Sequence, residues 1–222
     1  MLVGVLGFIG SGKGTVGDLL SQSYNFQQVS FAEHLKDVTS TMFGWPRHLL
    51  EGDTDESRKF REEPDAFWTK KMGKTFTPRL ALQLMGTEAG RQVFHENFWV
   101  LSLEKKISMN KRTPNFVVTD VRFKNEIDWV HQKGGILIEV RRGITPHWYN
   151  IAAKANNGDS HAELWMLERS NIHESEWRWI GHDIDHVIHN DKSLADLSKN
   201  VNECLTKSFG PSIIEDLTEG VL

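Results

Sequence analysis

Short apolar runs alternate with helix-length amphipathic stretches along the chain. Leu2 to Leu6, Gln28 to Phe31, Asn115 to Thr119, Ile136 to Val140 and Asp185 to His189 read as strands. Strands separated by helix-length segments predict an α/β fold, a parallel sheet with helices on both faces. Thr77 and Pro78 read as an N-cap followed by a proline at the first helical position, opening "TPRLALQLMG" with Gly86 as the expected stop. Asp191 is the expected cap of a helix that starts near Ser193 and carries Leu194, Leu197 and Val201 on one face. Two stretches break the rhythm. Residues 44–76 are rich in charge and turn formers, and residues 143–182 hold Trp148, Trp165, Trp177 and Trp179 among polar residues. The expected organisation is one domain over 1–222, with a core of 1–43, 77–142 and 183–206 and insertions at about 44–76 and 143–182 that close over a site, plain surface excursions being the other reading.

Composition narrows the class. The chain has 222 residues, 39% hydrophobic and 25% charged, which suits a globular protein with a sizeable core. The first apolar run, Leu2 to Ile9, is too short to span a bilayer and lacks a basic leader, and no later stretch is long and apolar enough, so no membrane association is expected. A single cysteine, Cys204, excludes an internal disulfide and a thiolate zinc cluster, and points to a reducing compartment. A formal net charge of −4 argues against coating nucleic acid through bulk electrostatics. Any phosphate binding must be local.

The sequence "GFIGSGKGT", residues 7–15, supplies such a locality between a predicted strand and a predicted helix. Backbone N–H groups of a glycine-rich turn converge on an anion, the following helix adds its positive end, and a lysine reaches the outer phosphates. Gly10, Ser11, Gly12, Lys13, Gly14 and Thr15 are therefore the candidate ATP-binding residues. Where the common form of this loop has a Ser or Thr directly after the lysine to ligate magnesium, this chain has Gly14, and the hydroxyl comes one place later at Thr15. That spacing resembles the loop of nucleoside monophosphate kinases such as adenylate kinase. The resemblance assigns Thr15 to an inner phosphate, with Mg2+ held largely through water and other groups.

Further along, "FVVTDVRFKNEID" puts Asp120 at the end of a predicted strand, with Arg122 and Glu126 following. Carboxyl ends of parallel strands face the ligand crevice. Asp120 there suits the magnesium shell, through water, or an acceptor group, and Arg122 suits a bidentate phosphate contact. The alternatives are a helix N-cap for Asp120 and a surface ion pair for Arg122. Arg79 and Gln83, four residues apart on one helix face, suit a monophosphate and a base edge; the alternative is a solvated face. Arg141 and Arg142 follow the fourth predicted strand, placed to stabilise charge on a transferring phosphoryl group, at least one of the two having a structural role instead. His182, His186 and His189 have helical spacing, but Ile184, Val187 and Ile188 make the run read as the last strand, where three imidazoles do not converge on a zinc ion.

Taken in order, "GFIGSGKGT", "FAEHLKDV", "PRLALQLMGTEAGR", "VVTDVRFKNEID", "VRRG", "DSHAELW" and "DHVIHNDKSLADL" resemble bacteriophage deoxynucleoside monophosphate kinases of the T-even type, within the P-loop kinases and near phosphomevalonate and dephospho-coenzyme A kinases. The loop is specific to P-loop proteins in general; Arg-x-x-x-Gln-x-x-Gly-Thr followed by Asp-x-Arg-x-x-x-Glu narrows it. The resemblance implies a P-loop kinase fold with a nucleotide-binding and a lid-like insertion, and transfer of the ATP γ-phosphoryl group to a 2′-deoxynucleoside 5′-monophosphate with Mg2+ in the cytoplasm of an infected bacterium. It implies that Lys13 and the loop hold ATP, that Lys36, Arg79, Gln83, Arg122 and Glu126 face the acceptor, and that His161 and Glu163 lie in an acceptor-side segment, a solvated helix start being the other reading. A homodimer is the family analogy. The chain departs from the family at Gly14, where an Asp is common, and in a shorter middle insert. Two rival functions remain at this stage: another small-molecule kinase such as one acting on dephospho-coenzyme A, and a non-catalytic ATP-binding switch.

Overall fold

The computed structural model describes residues 1–109, 115–169 and 171–219. The chain divides into two compact units, one built from Met1–Val29 with the described residues after Met109, the other from Ser30–Met109.

The first unit holds a five-stranded, all-parallel sheet. Its strands are β1 (Leu2–Leu6), β2 (Gln27–Val29), β3 (Phe116–Val118), β4 (Ile136–Arg141) and β5 (His186–His189), in the order β2-β3-β1-β4-β5. The predicted strands fall on these five, each with its ends shifted by no more than two residues. β1, with five consecutive buried residues, is the central strand, which is why it reads as an unbroken apolar run. It pairs with β3 from Leu2 opposite Phe116 and with β4 to Leu6 opposite Glu139, so the chain leaving Leu6 emerges beside the end of β4.

One sheet face is closed by α1 (Lys13–Tyr24) and α10 (Leu194–Phe209). Val16 and Leu20 of α1 and Leu197, Val201 and Leu205 of α10 pack with Val3, Val5, Ile138 and Val140. On the opposite face Gly4 lies so close to Leu137, Val130 and Val121 that a Cβ would come within 2.7 Å of the Leu137 side chain. This is the side covered by α7 (Lys124–Gln132).

Ser193, rather than Asp191, caps α10. Its hydroxyl accepts from the Asp196 amide at 3.2 Å, and the Asp196 carboxylate accepts in return from the Ser193 amide. Asp191 instead accepts from the Gly143 amide at 2.8 Å. Ser193 lies two residues beyond Asp191 and, unlike it, stands three residues before an acidic side chain able to close a capping box.

Within the same unit, residues 143–182 form α8 (Tyr149–Asn156), α9 (Ser160–Leu167) and a 3-10 turn at Glu174–Glu176. Trp177, Met166, Ala152 and Ile180 are buried, and the Asn156 amide donates to the carbonyls of Trp177 and Ile180 at 2.9 and 2.8 Å. This segment therefore has a packed interior of its own.

The second unit is helical: α2 (Glu33–Phe43), a 3-10 turn at Arg47–Leu50, α3 (Asp55–Glu62), α4 (Ala66–Met72), α5 (Pro78–Gln83) and α6 (Phe98–Met109). Trp45 stacks on Phe43 at 4.7 Å and donates its indole N–H to Asp65 at 2.8 Å. Thr77 does cap α5, accepting from the Leu80 amide, with Pro78 in the first turn. Gly86 is not a stop. The helix continues as a wider π-helical coil over Leu84–Phe94. The Gly86 carbonyl accepts the Trp99 indole N–H at 2.7 Å, and a Cβ at Gly90 would lie 2.5 Å from that ring, so these glycines serve close approach rather than termination. No helix among the described residues is long and apolar enough to cross a membrane.

Replacing Ser193 by Ala should lower stability by about 1 kcal/mol and Tm by about 2–4 °C, whereas Asp191→Ala leaves the α10 cap intact. Thermal melts of the two variants check this; a larger loss for Asp191→Ala would return the cap to Asp191.

Candidate active site

The glycine loop after β1 is shaped by its walls. Gly7, Gly10 and Gly12 all have positive φ, at 138°, 77° and 105°. A Cβ on Gly7 would meet the Val140 carbonyl oxygen at 2.3 Å, and one on Gly12 would meet the Asn190 side-chain nitrogen at the same distance. Asn190, just past β5, fixes the loop from that side by donating to the Ser11 carbonyl at 2.9 Å. Gly14 differs, since a Cβ there meets nothing within 4 Å. Steric pressure explains Gly7 and Gly12 but not Gly14.

Gly12 is the N-cap of α1 and supplies no side-chain hydrogen bond, whereas Thr54, Asp65, Thr77, Asp159 and Ser193 each cap their own helices. The first-turn amides at Lys13, Gly14 and Thr15 are thus left for an external acceptor, at the positive end of the helix. Thr15 stands exposed in that turn. The Ser11 hydroxyl is buried and has no hydrogen-bond partner among the described residues. Leaving such a group unsatisfied costs about 1–3 kcal/mol, and a phosphate oxygen would satisfy it.

The Lys13 ammonium donates to the carbonyls of Gly7 and Phe8 at 2.9 and 2.8 Å. Burial, reinforced by the nearby Arg122 cation, lowers its pKa to about 8, against the opposing pull of Glu176 and then Asp120. Four charged groups therefore share one neighbourhood. Asp120 follows β3 and is not the N-cap of α7, a position taken by Phe123. Its carboxylate and the Thr15 hydroxyl are hard oxygen donors, and Mg2+ keeps several waters and needs only one or two carboxylates besides phosphate oxygens, so these residues fit the ion.

Arg122 is held at both ends. Its amide donates to Glu126 at 2.6 Å, and its Nη1 donates to Glu176 at 3.0 Å and to the Ser175 carbonyl at 3.3 Å. Nε and Nη2 make no hydrogen bond to any described residue. The ion-pair alternative for Arg122 is thus real, but it engages only one amino group of the guanidinium. Glu126, only 2% exposed, also accepts from the Phe123 amide at 3.1 Å and so secures the start of α7. Both amides bind the same carboxylate oxygen, Oε2.

Arg141 is gripped by Glu139 in a two-pronged pair at 2.6 and 2.8 Å, with Tyr149 accepting at 3.0 Å, while Arg142 is exposed. Glu139 is almost fully buried. His161 is exposed in the first turn of α9, its amide donating to the cap Asp159, and Glu163 pairs with Arg178 at 2.8 Å. Phe8 of the loop packs edge-on against Trp148, Tyr149 and Trp179 at 5.7, 6.1 and 5.1 Å, which ties the 143–182 segment to the loop. Glu176, Phe8 and Asn190 are members of this site that the sequence reading missed; no spacing signal marks them.

In the second unit, Lys36 pairs with Glu51 at 2.5 Å, and Arg79 pairs with Glu62. Gln83 closes α5 one turn after Arg79 and is half-buried.

A scan against protein-family models finds no match. Among curated proteins, a mimivirus protein described as a putative deoxynucleotide monophosphate kinase is 30% identical over 152 residues, covering 64% of this chain and 74% of its own. The deoxynucleoside-5′-monophosphate kinase of Escherichia phage T5 is 53% identical over 51 residues, covering 22% of this chain and 20% of its own. Among solved structures, TT1252 from Thermus thermophilus aligns over 94% of this chain and 97% of its own at 19% identity with a TM-score of 0.48.

A nuclear magnetic resonance titration of the Lys13 side chain should show a midpoint near 8 without nucleotide, returning toward 10.5 once ATP is bound. A midpoint at the ordinary lysine value in the free protein would contradict the burial argument. Between those pH values the unfolded chain binds the additional proton, so this group's contribution to stability rises with pH across that window.

Proposed function

The chain belongs to the deoxynucleoside monophosphate kinase family, and from that premise we propose that it transfers the γ-phosphoryl group of ATP to the 5′-phosphate of a deoxynucleoside monophosphate. The products are ADP and the deoxynucleoside diphosphate. The observation that carries this reading is the pairing, in one charged neighbourhood, of an uncapped glycine-loop helix bearing Lys13 with an arginine that has two guanidinium nitrogens unengaged among the described residues. The first is built for a polyphosphate. The second suits a monophosphate.

Phosphoryl transfer asks the protein for position and charge rather than for a nucleophile. In this reading the amides of Lys13, Gly14 and Thr15 and the Ser11 hydroxyl donate to the phosphate oxygens of ATP. Lys13 leaves the loop carbonyls for the outer phosphates, and its charge is strengthened as the phosphates arrive. Mg2+, when bound, neutralises phosphate charge, with Asp120 orienting its water shell. Arg122 takes the acceptor phosphate through its Nε/Nη2 edge. Arg142, exposed beyond β4, is the better placed of the two arginines for a mobile role, since Arg141 is committed to Glu139 and Tyr149. Arg79, Gln83 and Lys36 are proposed as nucleotide-binding groups of the second unit, where Arg79 and Lys36 would exchange carboxylate partners for phosphate. Synthesis of DNA precursors in an infected host is the setting that the viral relatives suggest, and a homodimer is the assembly that the resemblance suggests.

Lys13→Ala should lower turnover by about 10²-fold or more while the melting curve survives; normal rates would remove the loop from the site. Arg122→Ala should raise the acceptor KM or lower turnover, with the KM for ATP little changed. Acceptor kinetics identical to those of the parent would withdraw Arg122 from the acceptor phosphate.

A further inference from the structure

Glu176 has no place in the family resemblance, yet its carboxylate is the charged partner of Arg122. Two features set this contact apart from an ordinary surface ion pair, whose contribution is small because both side chains are mobile. The first is that the backbone under Glu176 is pinned on both sides. The 3-10 turn begins with His173 accepting from the Ser175 amide at 3.2 Å, and Arg178 reaches back to Glu174 at 3.0 Å. The Glu176 carbonyl accepts the Trp179 indole N–H at 3.0 Å, and the next residue, Trp177, is fully buried.

The second feature is the direction of the grip. The Ser175 carbonyl and the Glu176 carboxylate both take Nη1, at 3.3 and 3.0 Å, and the Arg122 amide is held by Glu126. A guanidinium is planar, so fixing one amino group and the backbone fixes the plane. The edge formed by Nε and Nη2, which has no partner among the described residues, is then presented in a set orientation. With side-chain exposures of 33% for Arg122 and 23% for Glu176, the pair is reachable from solvent without being fully hydrated.

We propose that Glu176 is a positioning residue: it holds Arg122 by Nη1 so that the opposite edge of the guanidinium meets the acceptor phosphate. The same residue links Arg122 to the phosphate loop, because Trp179, bonded to the Glu176 carbonyl, packs on Phe8 at 5.1 Å. The 143–182 segment therefore sets the geometry of an arginine that the strand following it in sequence does not carry. This inference rests on the acceptor-phosphate role of Arg122 given above.

A double-mutant cycle on the full chain tests it, with steady-state kinetics in ATP, Mg2+ and the most active deoxynucleoside monophosphate. Glu176→Ala should lower kcat/KM for the acceptor about tenfold, leave the KM for ATP within about twofold, and leave the melting curve in place. Glu176→Gln, which keeps an oxygen acceptor for Nη1, should recover part of the loss. In the Arg122→Ala background, Glu176→Ala should add nothing. An equal loss in both backgrounds would overturn the proposal while leaving Arg122 in the site. So would tighter acceptor binding by Glu176→Ala, which would make Glu176 a competitor for the phosphate. If Arg122→Ala is itself silent, the Arg122 assignment falls and the proposal with it.

Discussion

The close approach of Gly7 to the Val140 carbonyl governs this site. β1 lies between β3 and β4, so the chain leaving it must turn across the end of β4, where a Cβ would sit 2.3 Å from a backbone oxygen that cannot move without breaking the sheet. The positive φ of 138° removes the same choice a second time. Only glycine satisfies both conditions, and once it does, the loop folds back far enough for Lys13 to reach the Gly7 and Phe8 carbonyls and for α1 to begin without a side-chain cap. The anion site is what remains when those backbone demands are met.

Its charges are arranged in advance. Arg122, Glu176 and Asp120 all act on Lys13, and of the three arginines after β3 and β4, Arg122 and Arg141 are already held by carboxylates and Arg142 is exposed. Pre-organisation of this kind removes the reorganisation that would otherwise accompany charge development. It also separates roles: an arginine gripped along its Nε/Nη2 edge, such as Arg141, is a different instrument from one gripped at a single amino group, such as Arg122.

The sheet was readable because its three central strands, β3, β1 and β4, are buried on both faces and so appear as short apolar runs bounded by turns. The loop was readable because Gly7 and Gly12 are demanded by positive φ and close neighbours, and that glycine spacing followed by a lysine stands out in the sequence. What escaped the sequence depends on contacts distant along the chain. Gly86 looked like a helix stop until Trp99, thirteen residues on, supplied the reason for it. Asp191 read as the cap of α10, but the Asp196 amide binds Ser193 and the Gly143 amide occupies Asp191. Glu126 carries the right chemistry for a ligand, and nothing in the sequence shows that it is buried with two backbone amides at the start of α7. Glu176 sits 54 residues from Arg122 in an irregular turn with no periodicity to mark it.

The most direct test of the account is ADP formation from ATP and Mg2+, measured with each common deoxynucleoside monophosphate in turn and with none. The account predicts that one or a few of them accelerate ADP release far above the acceptor-free rate and that the matching deoxynucleoside diphosphate accumulates in equal amount. A slow rate that no deoxynucleoside monophosphate changes would contradict it.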